Sequence, residues 1–284
     1  MKEEELNTPV EITWCPGCTN FAILTAAKRA IAELVNEGFP KENFVISSGI
    51  GCHAKIYDYI NTNGFYSIHG RVPPTLTGMK LANPELKVIG FAGDGDAYAE
   101  GMEHLIHAAR MNADITMVIH NNQIFALTTG QPTPTTEEGF KTKATPQGNP
   151  YPPFNPIVLM LEAGATFVAR EYALDINNLT ETLKEAIKHR GFSFVEVLQP
   201  CISFHDTREF ISRRIYRIQP MSFEDALRVA REWDYSPRED ARIAVGVFYR
   251  EERPTLEDKL RPKVWHRVYP ERSVNVKELW DLFL

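Results

Sequence analysis

The chain has 284 residues, enough to bury one large α/β core or two small ones. Its 31 Lys and Arg against 37 Asp and Glu leave a net charge of −6, which argues against a dedicated nucleic-acid binder. No apolar stretch reaches the length that spans a bilayer, and Met1-Lys2-Glu3-Glu4-Glu5 is a solvated acidic start, so a cytoplasmic protein without a membrane partner is expected.

Phe21, Leu24, Ala27, Ile31, Leu34 and Val35 recur at helical spacing, which predicts a helix over residues 20–36. Asn43-Phe44-Val45-Ile46-Ser47-Ser48-Gly49 reads as a strand running into a glycine-rich turn. Proline in the first turn marks a short helix over 73–81. Val88-Ile89-Gly90-Phe91-Ala92 is a strand that ends at Gly93-Asp94-Gly95-Asp96. Residues 100–111, with Met102, Leu105, Ile106 and Ala109 on one face, supply a crossover helix, and a strand at 115–120 completes a βαβ unit. Helices at 156–163 and 179–189 alternate with strands at 166–170 and 194–198. This alternation implies an α/β fold with a doubly wound, mostly parallel sheet.

The pattern breaks between Gln131 and Pro156, where seven prolines fall within 25 residues. So long a stretch without periodicity is either a loop that covers a ligand or docks a partner, or a tolerated surface insertion. Beyond Phe204 the alternation stops. Arg208, Arg213, Arg214 and Arg217 form a solvated or partner-facing stretch, 221–233 reads as one helix, and 243–248 is a late strand. The expected organisation is an α/β domain over 1–205 and a C-terminal extension over 206–284, packed on the domain, on a partner, or on both.

Two groups of residues carry chemistry. Asp94 and Asn122, 28 positions apart, each follow a strand, and one helix lies between them. A carboxylate and an amide oxygen are hard ligands in low number, which suits Mg²⁺, and strand ends of an open α/β sheet are where ligands bind. The plain alternative is an ordinary βα turn. The second group is the four cysteines: Cys15 and Cys18 in Trp14-Cys15-Pro16-Gly17-Cys18, then Cys52 and Cys201. Four thiolates suit either a [4Fe–4S] cluster or zinc, and Cys-x-x-Cys serves both. Cys52 follows the strand at 44–48 and Cys201 the strand at 194–198, so both belong to the sheet edge that carries Asp94 and Asn122. An electron acceptor has reason to sit there; a structural zinc has none.

The run Gly93-Asp94-Gly95 to Asn122-Gln123-Ile124-Phe125 resembles the thiamine-diphosphate motif. Gly49-Ile50-Gly51-Cys52, His69-Gly70-Arg71, Thr129-Gly130-Gln131 and Val247-Phe248-Tyr249-Arg250-Glu251-Glu252 join the cysteine motif in a wider resemblance. From Trp14 through Phe248 the chain resembles the β subunit of 2-oxoacid:ferredoxin oxidoreductases, and that resemblance implies the thiamine-diphosphate-binding, diphosphate-type fold.

Residue by residue, the resemblance implies that Cys15, Cys18, Cys52 and Cys201 ligate a [4Fe–4S] cluster. It implies that Asp94, Asn122 and the Ile124 carbonyl hold Mg²⁺. Ile50, Gly51, Cys52, His53, His69, Gly93, Asp94, Gly95, Asp96, Ala126 and Leu127 would line thiamine diphosphate. Lys55 would face the oxoacid carboxylate, against the plain reading of a surface lysine. His69 and His53 would move protons or hydrogen-bond the diphosphate, or are structural. His104 and His107 read as helix surface or subunit contact, and His120 as a residue behind the site. His53, Phe125, Ala126 and Thr129 depart from residues common in the family, which leaves pyruvate, 2-oxoglutarate and branched or aromatic oxoacids all open.

The implied activity is oxidative decarboxylation of a 2-oxoacid with coenzyme A, giving acyl-CoA and CO₂ and passing electrons one at a time to ferredoxin. No residue matches the Glu that activates the aminopyrimidine ring. In the family it lies on another subunit, so an α (pyrimidine-type) partner is expected, with or without γ and δ subunits. Two other readings remain: a non-oxidative thiamine-dependent decarboxylase subunit whose four cysteines bind a structural zinc, and a non-catalytic iron–sulfur electron carrier. Cysteines at the ligand edge weigh against the first, and intact Asp94 and Asn122 against the second.

Overall fold

In the computed structural model, residues 1–261 are described. In chain order they form α1 (Asn20–Asn36), β1 (Phe44–Ser48), β2 (Asn63–Tyr66), α2 (Val72–Ala82), β3 (Lys87–Gly93), α3 (Met102–Met111) and β4 (Thr116–Asn121). A small antiparallel pair, β5 (Ile124–Phe125) and β6 (Gln131–Pro132), follows, then α4 (Pro156–Glu162), β7 (Phe167–Tyr172), α5 (Ile176–Lys188) and β8 (Ser193–Leu198). The chain continues through α6 (Arg208–Ser212), β9 (Ile215–Arg217), α7 (Phe223–Ala230), β10 (Ile243–Arg250) and α8 (Leu256–Leu260).

Eight strands make one sheet in the order β2-β1-β3-β4-β8-β7-β10-β9. All neighbours pair in parallel except β10, which runs antiparallel to β7. The expected α/β, mostly parallel sheet is what the chain forms. Every residue of β1, β4, β7 and β8 is buried. Strands covered on both faces read as continuous apolar runs, which is why these were legible. Alternate residues enter opposite layers: Phe44, Ile46, Ile89 and Phe91 pack with α1 and α5, while Val45, Val88, Met117 and Ile119 pack with α2, α3, α4 and α7. Truncating one of the large side chains, such as Phe91, would cost about 3–5 kcal/mol.

Several elements differ from expectation. Strand β2 was not anticipated: all four of its residues are exposed at the sheet edge, so it has no burial pattern to read. The helix expected over 221–233 stops at Ala230, where the Asn155 side-chain amide donates to the carbonyls of Ala230 and Trp233 at 2.7 and 3.2 Å. Residues 206–261, set apart in the sequence as an extension, place β9 and β10 at one edge of the same sheet. Residues 262–284 of that extension lie outside the described residues. Among the described residues no helix is long and apolar enough to cross a membrane.

Parallel pairing puts the C-terminal ends of β1, β3, β4 and β8 on one edge. From β1 the chain goes to β2 on one side and then to β3 on the other, so the order reverses between β1 and β3. Such a reversal opens a crevice beyond the strand ends, the usual ligand position in open α/β sheets.

Candidate active site

The turns after β1, β3 and β4 close around one cavity. Ile50, Gly51, Cys52 and His53 enter from β1; Gly93, Asp94, Gly95 and Asp96 from β3; Asn122, Ile124, Ala126 and Leu127 from β4; and His69 from the loop after β2. The structure thus brings together every residue that the sequence assigned to the thiamine pocket. His120, Phe125 and Thr128 also line it. His120 was expected only behind the site; as the penultimate residue of β4, it gave no local signal that its ring turns toward the cavity.

Two glycines make the cavity possible. A Cβ on Gly49 would run into the Asp96 carboxylate, and one on Gly95 into the Phe125 ring. Asp96 then joins three turns. Its Oδ1 accepts from the backbone N–H of Gly70 at 2.8 Å and of Ile50 at 3.3 Å, and pairs with His69 Nδ1 at 2.6 Å. Its Oδ2 lies 3.5 Å from His53 Nε2. Burial opposes the Asp96 charge, but the close contacts with His53 and His69 and the hydrogen bond from Gly70 hold its carboxyl well below the usual range. The same pairing raises His69. A single wide, π-helical turn over Asp96–Glu100 carries Asp96 before α3 begins.

Asp94 is 1 % exposed, and burial pushes its carboxyl up to about 6 despite hydrogen bonds from Thr133, Thr135 and the Asn122 backbone. Among the described residues no basic side chain pairs with it. A desolvated carboxylate without a countercharge, beside an amide oxygen, fits a cation ligand. The Asn122 Oδ1 accepts from Ile124 N–H at 3.0 Å while its Nδ2 donates to Gln199 at 3.1 Å. The Thr135 hydroxyl bridges Asp94 Oδ2 at 3.1 Å and Asn121 Oδ1 at 2.9 Å, so the proline-rich segment is latched onto the site. Asn121 in turn donates to Glu196 Oε1 at 2.7 Å, and Glu196 Oε2 accepts from Arg170 at 2.7 Å and from Tyr235 at 2.6 Å. A fully buried ion pair therefore stands directly behind the strand end.

The four thiols are free and lie in electrostatic reach of one another. Specific hydrogen bonds gather their loops. Trp14 Nε1 donates to the Cys52 carbonyl at 2.7 Å, Ser203 Oγ reaches Cys15 Sγ at 3.7 Å, and Thr19 Oγ1 donates to the Pro200 carbonyl at 3.0 Å. Burial, with the neighbouring thiols adding to it, pushes Cys52 up to about 11 against the pull of Lys55, and burial also raises Cys18. Thiols at this edge need a cation to ionise. Among the described residues no three His, Cys, Asp or Glu side chains already converge as a closed metal set.

Lys55 does not line the cavity; its ammonium donates to the Thr13 carbonyl at 3.1 Å. His104 and His107 sit away from it on α3, where His104 lies 3.5 Å from Glu103.

This crevice, with its acidic turn and asparagine, has the form of a thiamine enzyme's diphosphate half. Residues 49–197 match the family described as thiamine pyrophosphate enzyme, C-terminal TPP binding domain. The chain is 42 % identical over 259 residues to subunit beta of 2-oxoacid:ferredoxin oxidoreductase 1 of Aeropyrum pernix, covering 85 % of this chain and 79 % of that one. It is 46 % identical over 205 residues to the 2-oxoglutarate oxidoreductase subunit KorB of Mycobacterium tuberculosis, covering 72 % of this chain and 54 % of that one. A solved 2-oxoglutarate:ferredoxin oxidoreductase from Magnetococcus marinus, with 2-oxoglutarate, coenzyme A and succinyl-CoA bound, superposes with a TM-score of 0.86 at 33 % identity. That match covers 99 % of this chain and 96 % of the other. The chain belongs to the beta subunits of the 2-oxoacid:ferredoxin oxidoreductases. It is one subunit of a multi-subunit oxidoreductase and contains a thiamine-pyrophosphate-binding domain.

Proposed function

We propose that this subunit holds the diphosphate half of thiamine diphosphate, a Mg²⁺ ion and a [4Fe–4S] cluster for CoA-dependent oxidation of a 2-oxoacid, with ferredoxin as electron acceptor. The observation that carries this reading is the buried Asp94, which has no basic partner among the described residues, in the same cavity as Asn122 and Cys52. Asp94, Asn122 and the Ile124 carbonyl would hold Mg²⁺ against the diphosphate, with the glycine turns supplying N–H groups. Cys15, Cys18, Cys52 and Cys201 would hold the cluster.

When bound, thiamine supplies an electron sink at the carbon that loses CO₂, and the cluster takes electrons singly. The protein's own side chains bind and orient. Asp96 ties His69 and His53 to the turn after β3, so His69, which keeps one ring nitrogen free of Asp96, holds or moves a proton at the cavity wall. His120, kept neutral by burial and by the nearby His53, closes the wall without adding charge. Lys55 would have to leave the Thr13 carbonyl to meet a substrate carboxylate. Residues 1–205 would carry the cofactors, and the described part of the extension, 206–261, would pack on that domain, on the partner, or on both.

The partner subunit would bring the Glu for the aminopyrimidine ring. The test is dye reduction. This subunit, reconstituted with iron, sulfide, Mg²⁺ and thiamine diphosphate, should be inactive alone and should reduce a viologen with an oxoacid and coenzyme A once its partner is added. Robust reduction by this chain by itself would contradict the proposal.

A further inference from the structure

Gln199 lies just beyond β8, between the two groups of proposed ligands, and is 2 % exposed. Its backbone N–H donates to the Asn121 carbonyl at 2.8 Å, which fixes where its side chain starts. The side-chain oxygen accepts from Asn122 Nδ2 at 3.1 Å. The side-chain nitrogen donates to Thr19 Oγ1 at 2.9 Å and lies 4.0 Å from Cys18 Sγ, with the Pro200 carbonyl at 3.4 Å. One amide therefore touches the proposed magnesium ligand on one side and the Cys-x-x-Cys loop on the other.

The chemistry of each end follows from donor and acceptor counts. An asparagine side chain presents oxygen or nitrogen to a cation depending on which way its amide is turned. An acceptor facing Nδ2 fixes that choice, and the Gln199 oxygen is that acceptor; Asn122 Oδ1, which accepts from the Ile124 N–H at 3.0 Å, keeps its second lone pair for a cation. At the other end an N–H directed at a cysteine sulfur stabilises the more electron-rich, reduced state of a cluster. The Thr19 hydroxyl, which Gln199 holds, is next to Cys18 in the chain and itself donates to the Pro200 carbonyl at 3.0 Å, beside Cys201.

We propose that Gln199 is a positioning residue shared by both centres: its oxygen sets the orientation of Asn122 toward Mg²⁺, and its amide nitrogen sets the potential of the cluster through Cys18 and Thr19. The inference rests on the cofactor assignment above. Each end makes a separate demand, so the two can be separated by substitution.

The experiment uses the enzyme assembled with its partner subunit. Mg²⁺-dependent thiamine-diphosphate affinity is read by calorimetry, and the cluster midpoint potential by redox titration followed by electron paramagnetic resonance. Gln199→Leu removes both ends. It should weaken the affinity by about 10-fold or more, as loss of an outer-shell partner does, and move the potential to a more negative value. Gln199→Glu keeps an oxygen for Asn122 but has no N–H for sulfur, so affinity should stay near wild type while the potential still falls. If the Leu variant does not assemble, Gln199→Met, likewise neutral and without an N–H, takes its place, because the carboxylate of Gln199→Glu also lowers the potential by its charge. Unchanged affinity and potential in either variant would overturn the proposal. So would parallel loss of both properties in Gln199→Glu, which marks a merely structural amide. A wild-type enzyme that binds neither thiamine diphosphate nor a cluster would instead overturn the cofactor reading, and this inference with it.

Discussion

His69 Nδ1 lies 2.6 Å from Asp96 Oδ1, so the loop after β2 and the turn after β3 are joined by an imidazole–carboxylate contact at the cavity wall. The contact raises His69 and, with His53, holds Asp96 low. For a raised histidine the added stability is fully present below its unfolded value, about 6.5, and is lost as pH rises through the folded value. For the depressed carboxyl it is present above about 3.9 and lost as pH falls through the folded value. The contact should therefore contribute most between about pH 4 and 6.5. Following the His69 ring signal by NMR in the metal-free subunit should give a titration midpoint above the ordinary range, and Asp96→Asn should bring it down. An unchanged midpoint in Asp96→Asn would show that Asp96 does not govern His69.

Asp94→Ala should abolish Mg²⁺-dependent thiamine-diphosphate binding and leave the visible spectrum of the cluster largely intact. Asp94 is the sole anionic side chain among the proposed magnesium ligands, whereas the thiolates are separate donors. Calorimetry on the assembled enzyme checks the first half and absorbance the second. Unchanged affinity would remove Asp94 from the metal site.

Cys52 lines the cavity and Cys15 does not. Cys52→Ser should therefore impair both ferredoxin reduction and thiamine-diphosphate binding, while Cys15→Ser should chiefly lose iron. Iron analysis and calorimetry on the two variants separate them. A Cys52→Ser enzyme with its full iron content and wild-type ferredoxin reduction would show that the thiol is not a ligand.

The pair Arg170–Glu196 is fully buried at neighbouring positions of β7 and β8, and Arg170 also stacks on Trp233, Tyr235 and Phe248. Removing one charge leaves the other uncompensated. Glu196→Leu should lower unfolding stability by about 3–5 kcal/mol, measured by urea denaturation. Because Glu196 also accepts from Asn121, the same change should loosen the strand end that carries Asn122 and weaken Mg²⁺ binding. A loss below about 1 kcal/mol would mean that the network relaxes around the gap.

What the sequence discloses and what it hides have separate physical causes. β1, β3, β4 and β8 are nearly continuous apolar runs because helices cover both faces of the sheet, so the strand ends and the residues on them could be placed from the pattern alone. Gly49 and Gly95 stand where a Cβ would strike Asp96 or Phe125, and the motif preserves that requirement in a short string of letters. The Asp96 clamp, the Thr135 latch and the Gln199 bridge are hydrogen bonds between residues 26, 41 and 77 positions apart, and no local periodicity encodes them. β2 is exposed along its whole length, and Lys55 is turned to Thr13 by a backbone carbonyl that only the folded chain brings near.

One edge of the sheet is proposed to hold both thiamine diphosphate and an iron–sulfur cluster. The most direct measurement is anaerobic purification of the subunit with its partner, followed by iron, sulfide, zinc, magnesium and thiamine analysis and a visible spectrum. The expected result is iron and acid-labile sulfide in equal amounts with a broad absorbance near ~400 nm, together with magnesium and thiamine diphosphate. A colourless protein that contains zinc in place of iron, or one that retains no thiamine diphosphate in the presence of Mg²⁺, would contradict it.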